Sequence, residues 1–245
     1  MAQGITFQIK QLGITGPLLL WFASYLDNRK QRVIINGQNS EWLPVEAGVP
    51  QGSILGPLLF LVFINDITEN IDSDINLFAD DTSLLEIIKN PEQSAITLNN
   101  DLKTIHEWAC QWLMIFNADK TIAMTFSLQP TPIPQPNILL NNSPVKELSQ
   151  HCHLGLTFCT NMKWNLHISN IYQRASQRNN ILRKLKYRLP RKTLEFFFIQ
   201  MIRPILEYCD VIFDGCGIVQ TQKLESVQYD AARTCLGALP TTNRK

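Results

Sequence analysis

Two adjacent acids, Asp80 and Asp81, stand between short apolar runs at residues 76–79 and 82–88. That pattern reads as a tight hairpin with carboxylates at its tip. Carboxylates held side by side repel each other unless a divalent cation neutralises them, so metal binding is one reading and a solvated turn is the other. Upstream, Gly48-Val49-Pro50-Gln51-Gly52-Ser53-Ile54-Leu55-Gly56-Pro57 forms a rigid, glycine-bearing loop that leads into an apolar stretch. Glycines let a ligand approach the backbone closely, and a helix N-terminus favours an anion such as a phosphate. A capping turn with Pro57 at the first helical position accounts for Gly56-Pro57 but leaves Pro50-Gln51-Gly52 unexplained. A serine-hydrolase elbow is excluded, because Gly52-Ser53 lacks the residue that separates the first glycine from the serine in that motif.

A third feature is electrostatic. Between Tyr172 and Leu194 stand Arg174, Arg178, Arg183, Lys184, Lys186, Arg188, Arg191 and Lys192 with no acid among them, whereas acids dominate residues 66–107. The net charge of +1 averages over this separation. Basic residues on an amphipathic helix are either a solvated face or a polyanion-binding one, and the acid-free run tips the reading toward nucleic acid. His151, Cys152, His153 and Cys159 have metal-capable side chains, but their spacing fits no zinc knuckle, and His151 and His153 alternate as strand residues do. No metal is assigned to them.

The elements that must position these groups can be read from the pattern. Residues 18–26 repeat apolar positions at helical spacing behind Pro17, and residues 32–36 and 41–46 read as strands around the turn-forming Asn36-Gly37. A buried helix runs from about Pro57 to Thr68, a long amphipathic helix from Pro91 through Trp108 and Trp112, and a strand over residues 121–126. Four prolines between Gln129 and Asn137 mark a surface loop or the edge of a subdomain. Short strands follow over residues 139–156, then three helices over residues 167–189, 191–208 and 222–236. With 45% hydrophobic residues the chain suits one large domain or two small ones with a real core. Its six cysteines show no paired spacing and read as reduced, mostly buried thiols of an intracellular protein, in nucleus or cytoplasm. The longest apolar run, residues 54–64, is too short to span a membrane, which needs about 20 residues.

The ordered set of motifs resembles a known family. The segment GVPQGSILGPLLF followed by FADD looks like the B and C motifs of reverse transcriptases, in the wording of non-LTR, jockey-like retrotransposons. Trp21, Ser24, Tyr25 and Leu26 with Asn36-Gly37 match the stretch between that family's A and B motifs. Asn117 and Lys120-Thr121 match its D motif, His153-Leu154-Gly155-Leu156 resembles its E motif or primer grip, and Arg203 to Tyr208 resembles a recurring thumb segment.

The resemblance implies an α+β fold, a right-hand polymerase palm with a helical thumb. Partial fingers and palm would occupy residues 1–128, a proline-rich loop and primer-grip strands 129–160, and the thumb with a C-terminal extension 161–245. It further implies that Asp80 and Asp81 help hold two magnesium ions, and that Pro50, Gln51 and Gly52 lie against the nascent base pair. Lys120 would act as a general acid, although an exposed solvated lysine explains it equally well. Phe78 would pack under the catalytic turn, as a plain core strand residue also would. Leu154 and Gly155 would hold the primer, and Arg174, Arg178, Arg183, Lys184 and Lys186 would follow the phosphate backbone of a duplex. The expected partners are an RNA template, a DNA primer and a deoxynucleotide.

The resemblance also implies a departure. The family's first metal-binding aspartate belongs to a motif A resembling D-x-S-K-A-F-D, just before the region that aligns with Gly4 to Gly13, and neither Asp27 nor Asp66 can stand in for it. Two carboxylates alone hold magnesium poorly, so the expectation is that this chain is inactive by itself. The alternative is a non-catalytic nucleic-acid-binding remnant, with a protein-binding scaffold as a third reading.

Overall fold

Proline and glycine placement sets most of the element boundaries. A computed structural model describes residues 2–129 and 137–238. In chain order the elements begin with α1 (Ala2–Gln11), α2 (Gly16–Leu26), β1 (Lys30–Gln31), β2 (Ile34–Ile35), β3 (Gln38–Asn39), β4 (Leu43–Pro44) and α3 (Gly56–Ile64). A 3-10 turn over Asn65–Thr68 precedes β5 (Asp74–Phe78), β6 (Asp81–Leu85), α4 (Pro91–Gln111) and β7 (Ile122–Ala123). Next come β8 (Leu139–Leu140), β9 (Ser143–Pro144), β10 (Lys146–Glu147), β11 (Gln150–His153) and β12 (Leu156–Cys159). The remaining elements are α5 (Asn165–Leu185), α6 (Arg191–Phe197), a π turn at Phe198–Ile202, α7 (Arg203–Glu207), α8 (Asp210–Phe213) and α9 (Ile218–Leu236).

The described residues gather into two units, one holding 2–123 and 137–146, the other 124–129 and 147–238. In the first, Ile5 and Ile9 of α1, Leu26 of α2, Leu59 and Phe63 of α3, Ile67, and Ile105 and Trp108 of α4 form one buried cluster. The β5–β6 hairpin lays Ile75, Leu77 and Leu84 against it. Asn90 caps α4 by accepting the N–H groups of Glu92 (3.0 Å) and Gln93 (3.4 Å), and Pro91 fits the first turn, where no N–H is needed. In the second unit, Ile168, Ala175 and Leu182 of α5 pack with Leu194, Ile202, Leu206, Val227 and Ala231, and Leu156 joins them from β12.

Several expectations are corrected. Asn36 (φ 51°) and Gly37 (φ 80°) do make the expected turn, but its second strand is only Gln38–Asn39, while Leu43–Pro44 pairs with Lys30–Gln31. Pro44 has no N–H to extend that ladder. The strand expected over residues 121–126 is only Ile122–Ala123. The helix expected over residues 191–208 is interrupted by the π turn before Pro204, whose ring and missing N–H break the regular ladder. The helix after Pro57 is buried on one side only, since Leu58 and Leu61 are exposed. All six cysteines are free, yet only Cys235 is buried: Cys159, Cys209 and Cys216 are half-buried, the last two at the margin of the core, and Cys110 and Cys152 are exposed. The proline cluster between residues 130 and 136 lies outside the described residues. Among the described residues no helix is long and apolar enough to cross a membrane.

Candidate active site

The acidic tip is set by register. In the β5–β6 hairpin Phe78 pairs with Asp81, so Ala79 and Asp80 are the two turn residues and Asp81 opens the returning strand. Ala79 adopts φ 53°, the left-handed backbone that a two-residue hairpin turn demands. Strand alternation sends Ile75 and Leu77 inward, which leaves Phe78 outward at 64% exposure; it is therefore neither a core residue nor a floor for the turn. Asp80 and Asp81 are both exposed, and among the described residues neither enters an ion pair.

The hairpin's other end is fixed by a residue that the motif search passes over. Asp101, in the middle of α4 and 2% exposed, accepts the backbone N–H of Asp72 at 3.0 Å and of Ser73 at 2.9 Å, just before β5 begins. Trp108 on the same helix donates its indole N–H to Asp66 at 2.7 Å. Nothing in the local sequence distinguishes Asp101 from a solvated helix acid; only the period of buried positions Ser94, Asp101, Ile105 and Trp108 places it inward.

The loop ahead of α3 is braced from within. Ser53 Oγ donates to the Pro50 carbonyl at 2.8 Å and accepts the N–H of Gly56 at 2.9 Å, while the Arg29 guanidinium donates to the Gly48 carbonyl. A Cβ at Gly56 would lie 2.5 Å from the Pro50 oxygen, so only glycine lets the loop close on itself there. Pro50 is half-buried, and Gln51 and Gly52 are exposed at the crest, Gly52 with φ 77°. Lys120 ends a turn in which its own N–H donates to the carbonyl (3.1 Å) and side-chain Oδ1 (3.2 Å) of Asn117; its side chain is exposed.

In the second unit, β11 and β12 form a hairpin whose turn is Leu154 (φ 46°) and Gly155 (φ 82°). Tyr208, at the end of α7, donates its hydroxyl to the Leu154 carbonyl at 2.9 Å. Two of the sequence motifs therefore meet here. From α5, His167 Nδ1 accepts the Thr157 N–H at 3.2 Å, and Asn170 donates to Thr157 Oγ1 at 3.3 Å. His167 is buried against Trp164 and Phe213, and that burial, followed by the Arg174 charge, lowers its pKa from the ordinary 6.5. A cavity of about 270 Å³ beside the turn is lined by Cys152, Gly155, Thr157, His167, Asn170 and Arg174, among others.

The basic residues are not equivalent. Arg174, Arg178 and Lys184 are exposed on α5, whereas the Arg183 guanidinium pairs with Asp230 of α9 at 2.8 Å, and half-buried Lys186 lies over the Tyr187 ring at 5.6 Å. Beyond α5, Arg191 pairs with Glu195. Among the described residues no group of three or more His, Cys, Asp or Glu stands ready for a metal ion.

A family model described as reverse transcriptase (RNA-dependent DNA polymerase) matches residues 3–183. The chain is 28% identical over 248 residues, or 96% of its length, to an RNA-directed DNA polymerase from the mobile element jockey of Drosophila melanogaster. It is 30% identical over 244 residues to a probable RNA-directed DNA polymerase from transposon BS, and 25% identical over 247 residues to one from transposon X-element, both of Drosophila melanogaster. In each case it spans 26% of the relative's length, about a quarter of the curated proteins it matches.

Proposed function

Because the chain belongs to the reverse transcriptase family, we propose that it carries part of the palm and the thumb of an RNA-directed DNA polymerase of a non-LTR retrotransposon. The observation that carries this reading is the pair Asp80 and Asp81, exposed at a two-residue hairpin turn, downstream of a self-braced PQG loop and inside the span that the family model matches. Adjacent exposed carboxylates are hard oxygen donors of the kind magnesium prefers, so the residues fit that ion. When bound, magnesium in such a site activates the primer 3′-hydroxyl and neutralises the departing pyrophosphate.

The protein groups then have distinct tasks. Gln51 and Gly52, at the crest of a loop that Ser53 and Gly56 hold rigid, bound the nascent base pair. Lys120 supplies a proton to the leaving group from a turn that fixes its backbone on Asn117. Leu154 and Gly155 hold the primer end. Arg174, Arg178 and Lys184 follow duplex phosphates without reading sequence, with Lys186 beside them; Arg183 shares its charge with Asp230.

Primer extension on an RNA template with magnesium tests this. The chain is assayed alone and joined to an upstream segment resembling D-x-S-K-A-F-D, each with and without Asp80→Asn/Asp81→Asn. Extension by the joined form that disappears in the double variant is the expected result. Salt-dependent duplex binding with no extension in any form would replace the polymerase reading with one of binding alone.

A further inference from the structure

Resting on the primer-grip reading above, we propose that Tyr208 is a positioning residue for that grip, holding the Leu154-Gly155 turn against the thumb helices by a single hydroxyl and one ring face. Hairpins as short as β11–β12, four residues a strand, are marginal by themselves, so the place of the tip is decided by what grasps it. Leu154 is left-handed at φ 46°, a conformation that a branched, apolar side chain keeps only when the surroundings impose it. The two-residue turn demands that backbone, and the Tyr208 hydroxyl, donating to the Leu154 carbonyl at 2.9 Å, holds the strained turn in place.

The ring does the rest. A Cβ at Gly155 would lie 3.1 Å from Tyr208 Cε1, closer than ordinary van der Waals contact, so the phenol packs directly on the glycine. A phenol's ordinary pKa near 10 already leaves the hydroxyl protonated and a donor through the neutral range, and the adjacent Cys209 side chain, followed by desolvation, shifts it further up. Across the hairpin, His167 and Asn170 of α5 take Thr157. The turn is thus suspended between α5 and the end of α7. A primer held at this turn moves with those helices, and the arginines on α5 and the grip contact one duplex as a single body.

Tyr208→Phe removes the hydroxyl and keeps the ring, at a side chain exposed enough that the fold does not depend on it. Fluorescence anisotropy on the full chain would use two RNA–DNA hybrids of equal duplex and overhang length, one with the DNA 3′ end recessed and the other with the DNA 5′ end recessed. Wild type is expected to prefer the recessed 3′ end. Tyr208→Phe should shrink that preference by about fivefold, the factor for one neutral hydrogen bond of about 1 kcal/mol, with affinity for the other hybrid unchanged and the melting temperature lowered by no more than the few degrees that one hydrogen bond accounts for. Arg178→Ala, by contrast, should weaken both hybrids equally. An unchanged preference in Tyr208→Phe overturns the proposal, as does an equal loss on both hybrids, which marks a merely structural tyrosine. If wild type itself shows no preference, the primer-grip reading fails and takes the proposal with it.

Discussion

Replacing Asp101 by alanine removes a carboxylate that ties the middle of α4 to the chain entering the β5–β6 hairpin. Its two carboxylate oxygens accept adjacent N–H groups, of Asp72 and Ser73, at 3.0 and 2.9 Å, and the residue is 2% exposed. Hydrogen bonds to a charged acceptor contribute about 1.5–3 kcal/mol each, and a buried donor left unpaired costs about 1–3 kcal/mol. Because two neighbouring donors can share one replacement water, the sum is not additive, and about 3 kcal/mol is the expected loss. For a unit of this size that is a fall of roughly 10 °C in melting temperature. Asp101→Asn should be nearly as costly, since its amide NH₂ would face one of the two N–H donors. The decisive assay is amide hydrogen exchange resolved by residue: Asp72 and Ser73 should lose protection in both variants, while amides of α5 and α9 keep theirs. A loss below about 1 kcal/mol, with Asp72 and Ser73 still protected, would refute the view that this carboxylate anchors the hairpin.

Other consequences follow from the second unit. His167 is held below its ordinary value of 6.5 by burial and then by Arg174, and its Nδ1 must stay unprotonated to accept the Thr157 N–H. Below pH 6.5 the unfolded chain takes up a proton that the folded chain refuses; stability is therefore intact above that value and declines as pH falls toward the lowered folded value. Melting curves between pH 7.5 and 5 should show this decline, and His167→Gln should flatten it; an unchanged slope in that variant would locate the acid sensitivity elsewhere. Among the basic residues, Arg178→Ala should reduce the salt slope of duplex binding by about 1, the effect of one lost phosphate contact, and Arg183→Ala by clearly less. Binding measured over a potassium chloride series decides between them, and equal slopes for the two variants would show that the Asp230 pair opens on binding. The Arg183–Asp230 pair, with both side chains about half exposed, should itself contribute no more than about 1 kcal/mol to stability.

The parts of this molecule that were legible in the sequence are those whose chemistry is local. Asn36-Gly37 announces a turn through residue types that tolerate left-handed backbone and is a hairpin turn; Asp80-Asp81 announces one through tip polarity, and the turn falls one residue earlier, at Ala79-Asp80. Pro57 and Pro91 mark helix starts because a fixed negative φ and a missing N–H suit the first turn. Errors arose where a distant partner decides. Strand lengths were overestimated because apolar runs such as residues 121–126 signal burial without showing whether a neighbour supplies a ladder. Phe78 was misplaced because a strand residue's face depends on register, and register here is set by the two-residue turn. Arg183 looked like its neighbours because Asp230 lies 47 residues away.

The same distinction explains how the candidate sites are built. Each loop or hairpin that carries an exposed tip receives a polar side chain from outside itself: Asp101 lies 28 residues from Ser73 at the base of its hairpin, Arg29 lies 19 from Gly48, and Tyr208 lies 54 from Leu154. A tip that is to meet nucleic acid or a metal ion must leave its outward polar groups unspent, so the holding is done by groups away from the contact face, Ser53 inside the PQG loop among them. The holding falls to carboxylates, guanidinium and hydroxyl groups further back, which form hydrogen bonds to backbone and need no motif of their own. Substitutions at the tips should therefore alter ligand contacts with little loss of stability, whereas substitutions at Asp101 should lower stability first and chemistry through it. A pairwise cycle of Asp101→Ala with Asp81→Asn discriminates: the stability effects should add, because the two side chains occupy opposite ends of β5–β6 and share no partner. A coupling of more than about 0.5 kcal/mol would show instead that tip and anchor are one cooperative network.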